Sequence, residues 1–398
     1  MNVRAFGRVS AFALVVALAG CTSNPGTSNP GAAETPSVEP SVSPVASPTP
    51  TEEAPPFPTE AFADISEDQV SRASAAEFQA ALDDMAGDGG MSATVMTPDG
   101  TWSEAAGKAD TVRDVRIHDQ FAIASVTKPI VAAQVMQMVE TGELGLDDPA
   151  ADHLPPNLDF DTNGATLREL LGHRSGIPDY YDTVHGMLSG DLLRVWTPAD
   201  LLDLVSEDRT PAGEVFEYAD TNYLLLGLVI EQVRGRPIHE VLRDGVLDID
   251  GVKRLIYPPG EVPTEPMAMP DSGSTAILEE GGGYLPSLAH VTSDGPGGSM
   301  ASDTPSLARW WRAFCSGEIV SQASLDEMST YHDGYGLGLF DVSDPYEEGF
   351  GHTGSHDGYV SWAGCLPESG AVVVVLTNQV FEDIGGMARP LVEALTSG

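Results

Sequence analysis

The stretch FAIASVTKPIVAAQVMQMVETGEL, residues 121 to 144, constrains the fold more than any other part of the chain. From Ile130, apolar residues recur at helical spacing through Val131, Val135, Met138 and Val139, which predicts a helix packed into a core. Its first turn nevertheless carries Lys128. An ammonium there opposes the positive end of the helix dipole, and if buried it must lose its charge or find a partner. Pro129 is tolerated because first-turn N–H groups have no intrahelical acceptor. Ser125 then falls at or just before the helix start. Residues three apart share a helix face, so the two side chains can touch. Serine needs a base held against it to act as a nucleophile, and a buried lysine that is deprotonated part of the time is one.

A helix of this kind needs a large core, and 398 residues allow one large domain or two intimate ones. The first 61 residues contribute nothing to that core. Arg4 and Arg8 precede the apolar run AFALVVALAG and Cys21, the n-region and h-region of a secretory signal. The run is too short to span a membrane. The ending Leu18-Ala19-Gly20-Cys21 resembles a lipobox, which makes Cys21 the expected lipidation site and residues 1–21 a lipoprotein signal peptide. An ordinary cleaved signal with a chance cysteine, and so a secreted protein, is the alternative. Residues 22–61 are mostly Pro, Ser, Thr, Ala, Gly and Glu and read as a disordered, semi-rigid linker. The expected location is the outer face of the cell membrane. The chain carries 60 Asp and Glu against 19 Lys and Arg, a net charge of −41. Such a surface repels nucleic acid and keeps an exported protein soluble. A monomer is expected. Cys315 and Cys365 can pair in an oxidising compartment, but the sequence cannot place them within bonding distance.

Residues 62–398 read as the folded domain. Residues 66–86 look helical, and MSATVMTPDGTWSEAAG reads as two strands around Pro98-Asp99-Gly100. From about 145 to 298 the chain is mostly helical and loop-rich, with Thr197 as a helix cap and Gly235 as a helix end. A further helix is expected from a cap at Thr304, in which Trp310 and Trp311 are packing residues. Strand-like segments follow, and GGMARPLVEALT closes as a helix. Strands at both ends with helices between predict an α+β fold, an antiparallel sheet built from both termini, flanked by helices and carrying a mostly helical inserted region.

Two more motifs complete the pattern. FEYADTNYLLLG places Tyr218 and Asp220 just before a helix, and GHTGSHDGYVSW places His352, Thr353 and Gly354 among the C-terminal strands. A glycine after the threonine lets a substrate backbone lie close to an edge strand. With the Ser125 helix, LLGHRSGIPDY and YGLGL, these elements resemble the penicillin-recognising serine hydrolases over roughly residues 70 to 395. That family includes class C β-lactamases, D-alanyl-D-alanine carboxypeptidases and esterases.

The resemblance implies that Ser125 is the nucleophile of an acyl-enzyme and that Lys128 and Tyr218 shuttle its proton. It implies that the backbone N–H groups of Ser125 and Ser355 form the oxyanion hole, with Asp220, His352, Thr353 and Gly354 at the substrate. Two positions depart from the family's pattern. Asp220 stands where Asn is usual, and an ionised Asp cannot donate to a substrate carbonyl; it can instead pair with Lys128, raise the lysine pKa and favour Tyr218 as the base. His352 stands where most of the β-lactamases carry lysine, and no Lys or Arg lies between Arg312 and Arg389. His352 is therefore expected to meet a substrate carboxylate as an imidazolium. His173 is expected to be a structural loop histidine. The spacing of His352 and His356 on a strand does not converge on a metal, and neither metal nor cofactor is expected. The function implied is a carboxypeptidase-like hydrolase of D-alanyl-D-alanine-type cell-wall peptides, with β-lactams as possible ligands. β-Lactamase or small-ester esterase activity is the alternative within the family. A non-hydrolytic penicillin-binding or wall-binding lipoprotein that has lost turnover is the alternative of a different class.

Overall fold

The computed structural model describes residues 55–396 except positions 88, 271–275, 279–283, 344–346 and 357. The signal peptide, Cys21 and the linker up to residue 54 lie outside the described residues. Among the described residues no helix is long and apolar enough to cross a membrane.

In chain order, α1 (Arg72–Ala86) leads into the hairpin of β1 (Gly90–Thr97) and β2 (Gly100–Gly107), and β3 (Phe121–Ala122) precedes α2 (Thr127–Glu140). The inserted region holds α3 (Leu167–Leu171), α4 (Tyr181–Leu188), α5 (Pro198–Leu202), α6 (Asp220–Arg234), α7 (Ile238–Asp244), β4 (Ala276–Leu278), β5 (Tyr284–Pro286) and α8 (Leu288–Gly298). Then come β6 (Ala301–Ser302), α9 (Thr304–Cys315), α10 (Gln322–Met328), β7 (Phe340–Asp341), β8 (Phe350–His356), β9 (Tyr359–Leu366), β10 (Ala371–Thr377) and α11 (Arg389–Thr396).

The main sheet has the order β2-β1-β10-β9-β8-β7 and is antiparallel throughout. The two ends of the chain meet where β1 pairs with β10, Val95 opposite Val373. The continuous apolar run of β10 follows from that central place, because both of its faces are covered. Val373 and Val375 pack with Phe78 and Leu82 of α1 and Leu391 and Val392 of α11. Val372, Val374 and Leu376 join the other core, with Trp310, Trp311 and Phe314 of α9. Each valine so buried contributes about 1.5–3 kcal/mol. A disulfide joins Cys315, the last residue of α9, to Cys365 in β9. On its outer side, among the described residues, β8 pairs only with β7, through Phe350 and Gly351, so the edge from 352 to 356 has no partner strand among them.

Local chemistry sets the element ends. Thr197 and Asp200 form a capping box on α5, and Gly235 ends α6 in the left-handed region. Two expected boundaries move. Asp303, not Thr304, caps α9, its carboxylate accepting Ser306 N–H at 2.9 Å. The linker boundary at residue 61 is too late. Phe57 and Phe62 are buried, and Phe57 N–H donates to Asp326 Oδ1 at 2.6 Å.

Candidate active site

Ser125 lies in a short 3₁₀ turn, Ala124–Val126, that runs directly into α2. The turn is pinned from three sides. Ile123 N–H donates to Met300 O at 2.9 Å, Ser361 Oγ of β9 donates to Ile123 O at 2.6 Å, and Met300 N–H reaches Thr127 Oγ1 at 3.2 Å. Ala124 takes a positive φ of 47°, a conformation a non-glycine residue holds only where its surroundings enforce it. Strand β8 presses against this turn at Gly354. A Cβ there would lie 2.4 Å from Ile123 O and 2.9 Å from Ser125 N. The missing side chain at 354 therefore makes room for the nucleophile turn, a reason the sequence did not supply. Ser355 follows Gly354 on the same strand and is exposed.

Lys128 is completely buried. Its Nζ donates to Asp220 Oδ1 at 2.5 Å, to Gly297 O at 2.8 Å and to Ser125 Oγ at 3.2 Å, so the three N–H bonds of an ammonium all have acceptors. Burial pushes the lysine pKa down, but the Asp220 carboxylate, with Tyr218 behind it, outweighs that and holds it above the usual value. The awkward charge in an apolar helix is thus answered by Asp220, at the first turn of α6. Gly297 makes this approach possible, since a Cβ there would sit 2.7 Å from Asp220 Oδ1.

The Tyr218 ring lies 4.7 Å from Lys128 Nζ. Its hydroxyl is buried without a well-formed hydrogen bond. Burial raises its pKa, against the opposing pull of Lys128 and Ser125. Ser125, Lys128, Tyr218 and Asp220 are therefore brought together, and at neutral pH the resting site holds an ammonium and a phenol.

His352 departs from expectation. Its ring has no exposed surface. It sits among Phe340, Tyr335 and Tyr218, with Nε2 3.2 Å from Tyr335 Oη and Nδ1 2.5 Å from Thr353 O. Burial first, then Lys128, pushes its pKa down to about 3. It is a neutral imidazole and cannot supply the expected cation. Thr353 is partly exposed and lines a cavity of about 340 Å3 with Phe340, Ser343, Asp383 and Arg389. Arg389, at the start of α11, therefore brings a permanent charge to the strand region that the sequence reading leaves without one. His356 is separate from His352, against Tyr359, His290 and Asp294.

His173, expected as a structural loop histidine, and Asp179, which the sequence does not single out, both support the site. His173 is fully buried, stacks on Tyr218 and accepts Ala219 N–H at 3.1 Å. Asp179 Oδ1 accepts Asp220 N–H at 3.1 Å. Both belong to the phrase LLGHRSGIPDY, whose polar residues were the available signal.

The family described as Beta-lactamase matches residues 76–396. Penicillin-binding protein 4 of Amycolatopsis lactamdurans is 30% identical over 281 residues, covering 65% of this chain and 72% of that protein. Esterase EstB of Burkholderia gladioli is 29% identical, covering 71% and 82%. The chain spans less of two Bacillus subtilis penicillin-binding relatives, 48% and 62% of their lengths. A solved D-stereospecific amidohydrolase from Streptomyces superposes with a TM-score of 0.65 at 26% identity, covering 80% of this chain and 98% of its own. Ser125, Lys128 and Tyr218 thus meet in the fold of serine hydrolases, and the chain belongs to the β-lactamase family.

Proposed function

We propose that this serine hydrolase forms an acyl-enzyme on Ser125 and acts on D-alanyl-D-alanine-type peptides that carry a free carboxylate, as a carboxypeptidase-like enzyme held outside the cell by lipidated Cys21. The carrying observation is Arg389 in the cavity of Thr353, at one end of the unpartnered edge of β8. A peptide laid along that edge as an added strand would bring its carbonyl to Ser125 and the amides of Ser125 and Ser355, and its carboxylate to Thr353 and Arg389. The Arg389 Nε is buried without a hydrogen-bond partner among the described residues, and the Arg389 contact with Asp383 is loose at 3.7 Å. Such a donor suits a carboxylate.

An esterase is the second reading. Asp220 is engaged with Lys128 and offers no amide donor to a peptide carbonyl, which favours esters over amides. Intact-mass spectrometry after exposure to a D-Ala-D-Ala peptide, its C-terminal amide, a p-nitrophenyl ester and a β-lactam decides between them. An adduct at Ser125 with turnover of the free-acid peptide above its amide supports the carboxypeptidase reading. Turnover confined to the ester favours the esterase, and a permanent β-lactam adduct without turnover of any substrate favours a binding protein.

A further inference from the structure

The resting site poses a proton problem. Lys128 is held as an ammonium and Tyr218 as a phenol, so neither takes the Ser125 proton unaided. Among the described residues the carboxylate in direct contact with Lys128 is that of Asp220, and a second carboxylate stands behind it. The segment from Pro178 to Tyr181 is stitched to the start of α6. Asp179 Oδ1 accepts from both Asp220 N and Tyr181 N at 3.1 Å. Tyr180 N–H donates to Thr221 Oγ1 at 3.2 Å, and that hydroxyl donates to Pro178 O at 2.8 Å. The charged and titratable groups around Asp179 are Asp220 and Lys128 from α6 and α2, Tyr180 and Tyr181 on its own segment, and Asp294 of α8 beyond Tyr180. Burial first, and the Asp220 carboxylate second, raise the Asp179 pKa to about 7. Two interacting carboxylates titrate as a pair, and this pair sits within hydrogen-bond reach of Lys128 Nζ through Asp220 Oδ1, the geometry a terminal base needs.

We propose that Asp179 is a positioning residue that fixes Asp220 against Lys128 and, through its charge, makes the carboxylate pair the terminal proton acceptor of a Ser125–Lys128–Asp220 relay. The proposal rests on the acyl-enzyme reading. In acylation Lys128 gives one Nζ proton to Asp220 and takes the Ser125 proton, while Ser125 Oγ bonds to the acyl carbon. When the tetrahedral intermediate breaks its bond to the leaving group, Lys128 protonates that group and recovers its own proton from Asp220. The pair ends as it began, and no other reactant is needed.

The test is kcat/KM for a p-nitrophenyl ester from pH 5 to 9, with fluorophosphonate labelling of Ser125 in parallel. Wild type is expected to show an acidic limb near pH 7. Asp179→Asn keeps an oxygen for both backbone N–H groups but removes the second charge. Its limb should move down by at least about one pH unit and its plateau fall about tenfold, because the variant lacks the second carboxylate charge that holds a proton near neutrality. A purely structural Asp179 would leave the limb in place. Labelled wild type with an unchanged profile in Asp179→Asn, or with no limb between pH 6 and 8, overturns this proposal alone. Failure of Ser125 to label overturns the acyl-enzyme reading as well. Circular dichroism verifies folding; Asp179→Ser, which keeps one acceptor, serves if the Asn variant does not fold and carries the same expected profile.

Discussion

His173 stacks on Tyr218 with ring centroids 4.1 Å apart and planes inclined by 30°. Its Nδ1 accepts Ala219 N–H, the amide between Tyr218 and Asp220, and lies 3.1 Å from Asn222 Nδ2. Burial, with Lys128 and His352 nearby, pushes its pKa well down and keeps the ring neutral, which preserves the lone pair this contact needs. His173 therefore sets the position of Tyr218 and the start of α6. His173→Phe retains a stacking ring but leaves Ala219 N–H unpaired, at a cost of about 1–3 kcal/mol in stability. A misplaced Tyr218 should also lower kcat on the order of a hundredfold. Urea unfolding and ester turnover check both. Full activity in the folded Phe variant would show that Tyr218 does not depend on this contact.

The disulfide between Cys315 and Cys365 ties α9 to the sheet across a sequence separation of 50. In the chain-entropy account, a cross-link closing a loop of that length stabilises the native state by about 4 kcal/mol, and measured values for native bridges are typically about 2–4. Both sulfurs are fully buried, so reduction should become efficient only under partly unfolding conditions. Cys315→Ala with Cys365→Ala is expected to lower the unfolding free energy by about 2–4 kcal/mol without changing kcat for ester turnover, since neither residue approaches Ser125. An unchanged urea midpoint would mean that the packing of α9 alone holds the sheet.

The parts of this fold that were legible in the sequence rest on local pattern. Alternation and apolar runs gave β1, β9 and β10, and helical spacing gave α2. Ser125 and Lys128 needed only the geometry of one helical turn. What was not legible depends on what distant segments place around a residue. His352 lies on a strand as expected, but its face meets Tyr335 and Phe340, and that apolar enclosure decides whether the imidazole is charged. Arg389 is far from Thr353 in sequence and reaches its cavity only because α11 folds back along the sheet. Gly297 and Asp179 matter through contacts with Asp220 that no spacing rule encodes. The pairing of Asp220 with Lys128 was foreseeable because a buried ammonium demands a partner and an Asp stood where an amide is usual.

The buried His352 makes a stability prediction in place of a catalytic one. Its folded-state pKa of about 3 lies below the ordinary histidine value, so the unfolded chain takes up a proton first as pH falls. The neutral form's contribution is full above about pH 6.5 and is lost progressively towards pH 3, reaching about 2 kcal/mol at pH 5 for one such histidine. His356 acts in the same direction for the same reason. Asp179 acts oppositely. Its raised carboxyl pKa means the folded state binds the proton more tightly, so its stabilisation fades as pH rises from about 4 to about 7. His352→Gln should make the fall in unfolding free energy between pH 6.5 and 4.5 shallower by about one proton. Urea titrations at each pH measure this, and an unaltered slope would mean that the ring is accessible to protons in the folded state.

Arg389 is the group left to discriminate substrates by charge. Its side chain is 41% exposed and its only ion pair among the described residues, with Asp383, is loose and solvated, so little is lost by redirecting it to a ligand. A charge-assisted hydrogen bond to a carboxylate contributes about 1.5–3 kcal/mol, which is a factor of about ten or more in kcat/KM. Arg389→Gln should therefore reduce kcat/KM for a D-Ala-D-Ala peptide about tenfold or more relative to its C-terminal amide, while leaving p-nitrophenyl ester turnover near wild type. Asp383→Asn, which releases the guanidinium, should shift the same ratio modestly the other way. Because guanidinium does not titrate in this range and His352 is neutral throughout it, the wild-type ratio should show no histidine-like fall between pH 5.5 and 8.5. Equal losses for the acid and the amide in Arg389→Gln would remove Arg389 from the carboxylate site and leave the ester as the substrate class best matched to this pocket.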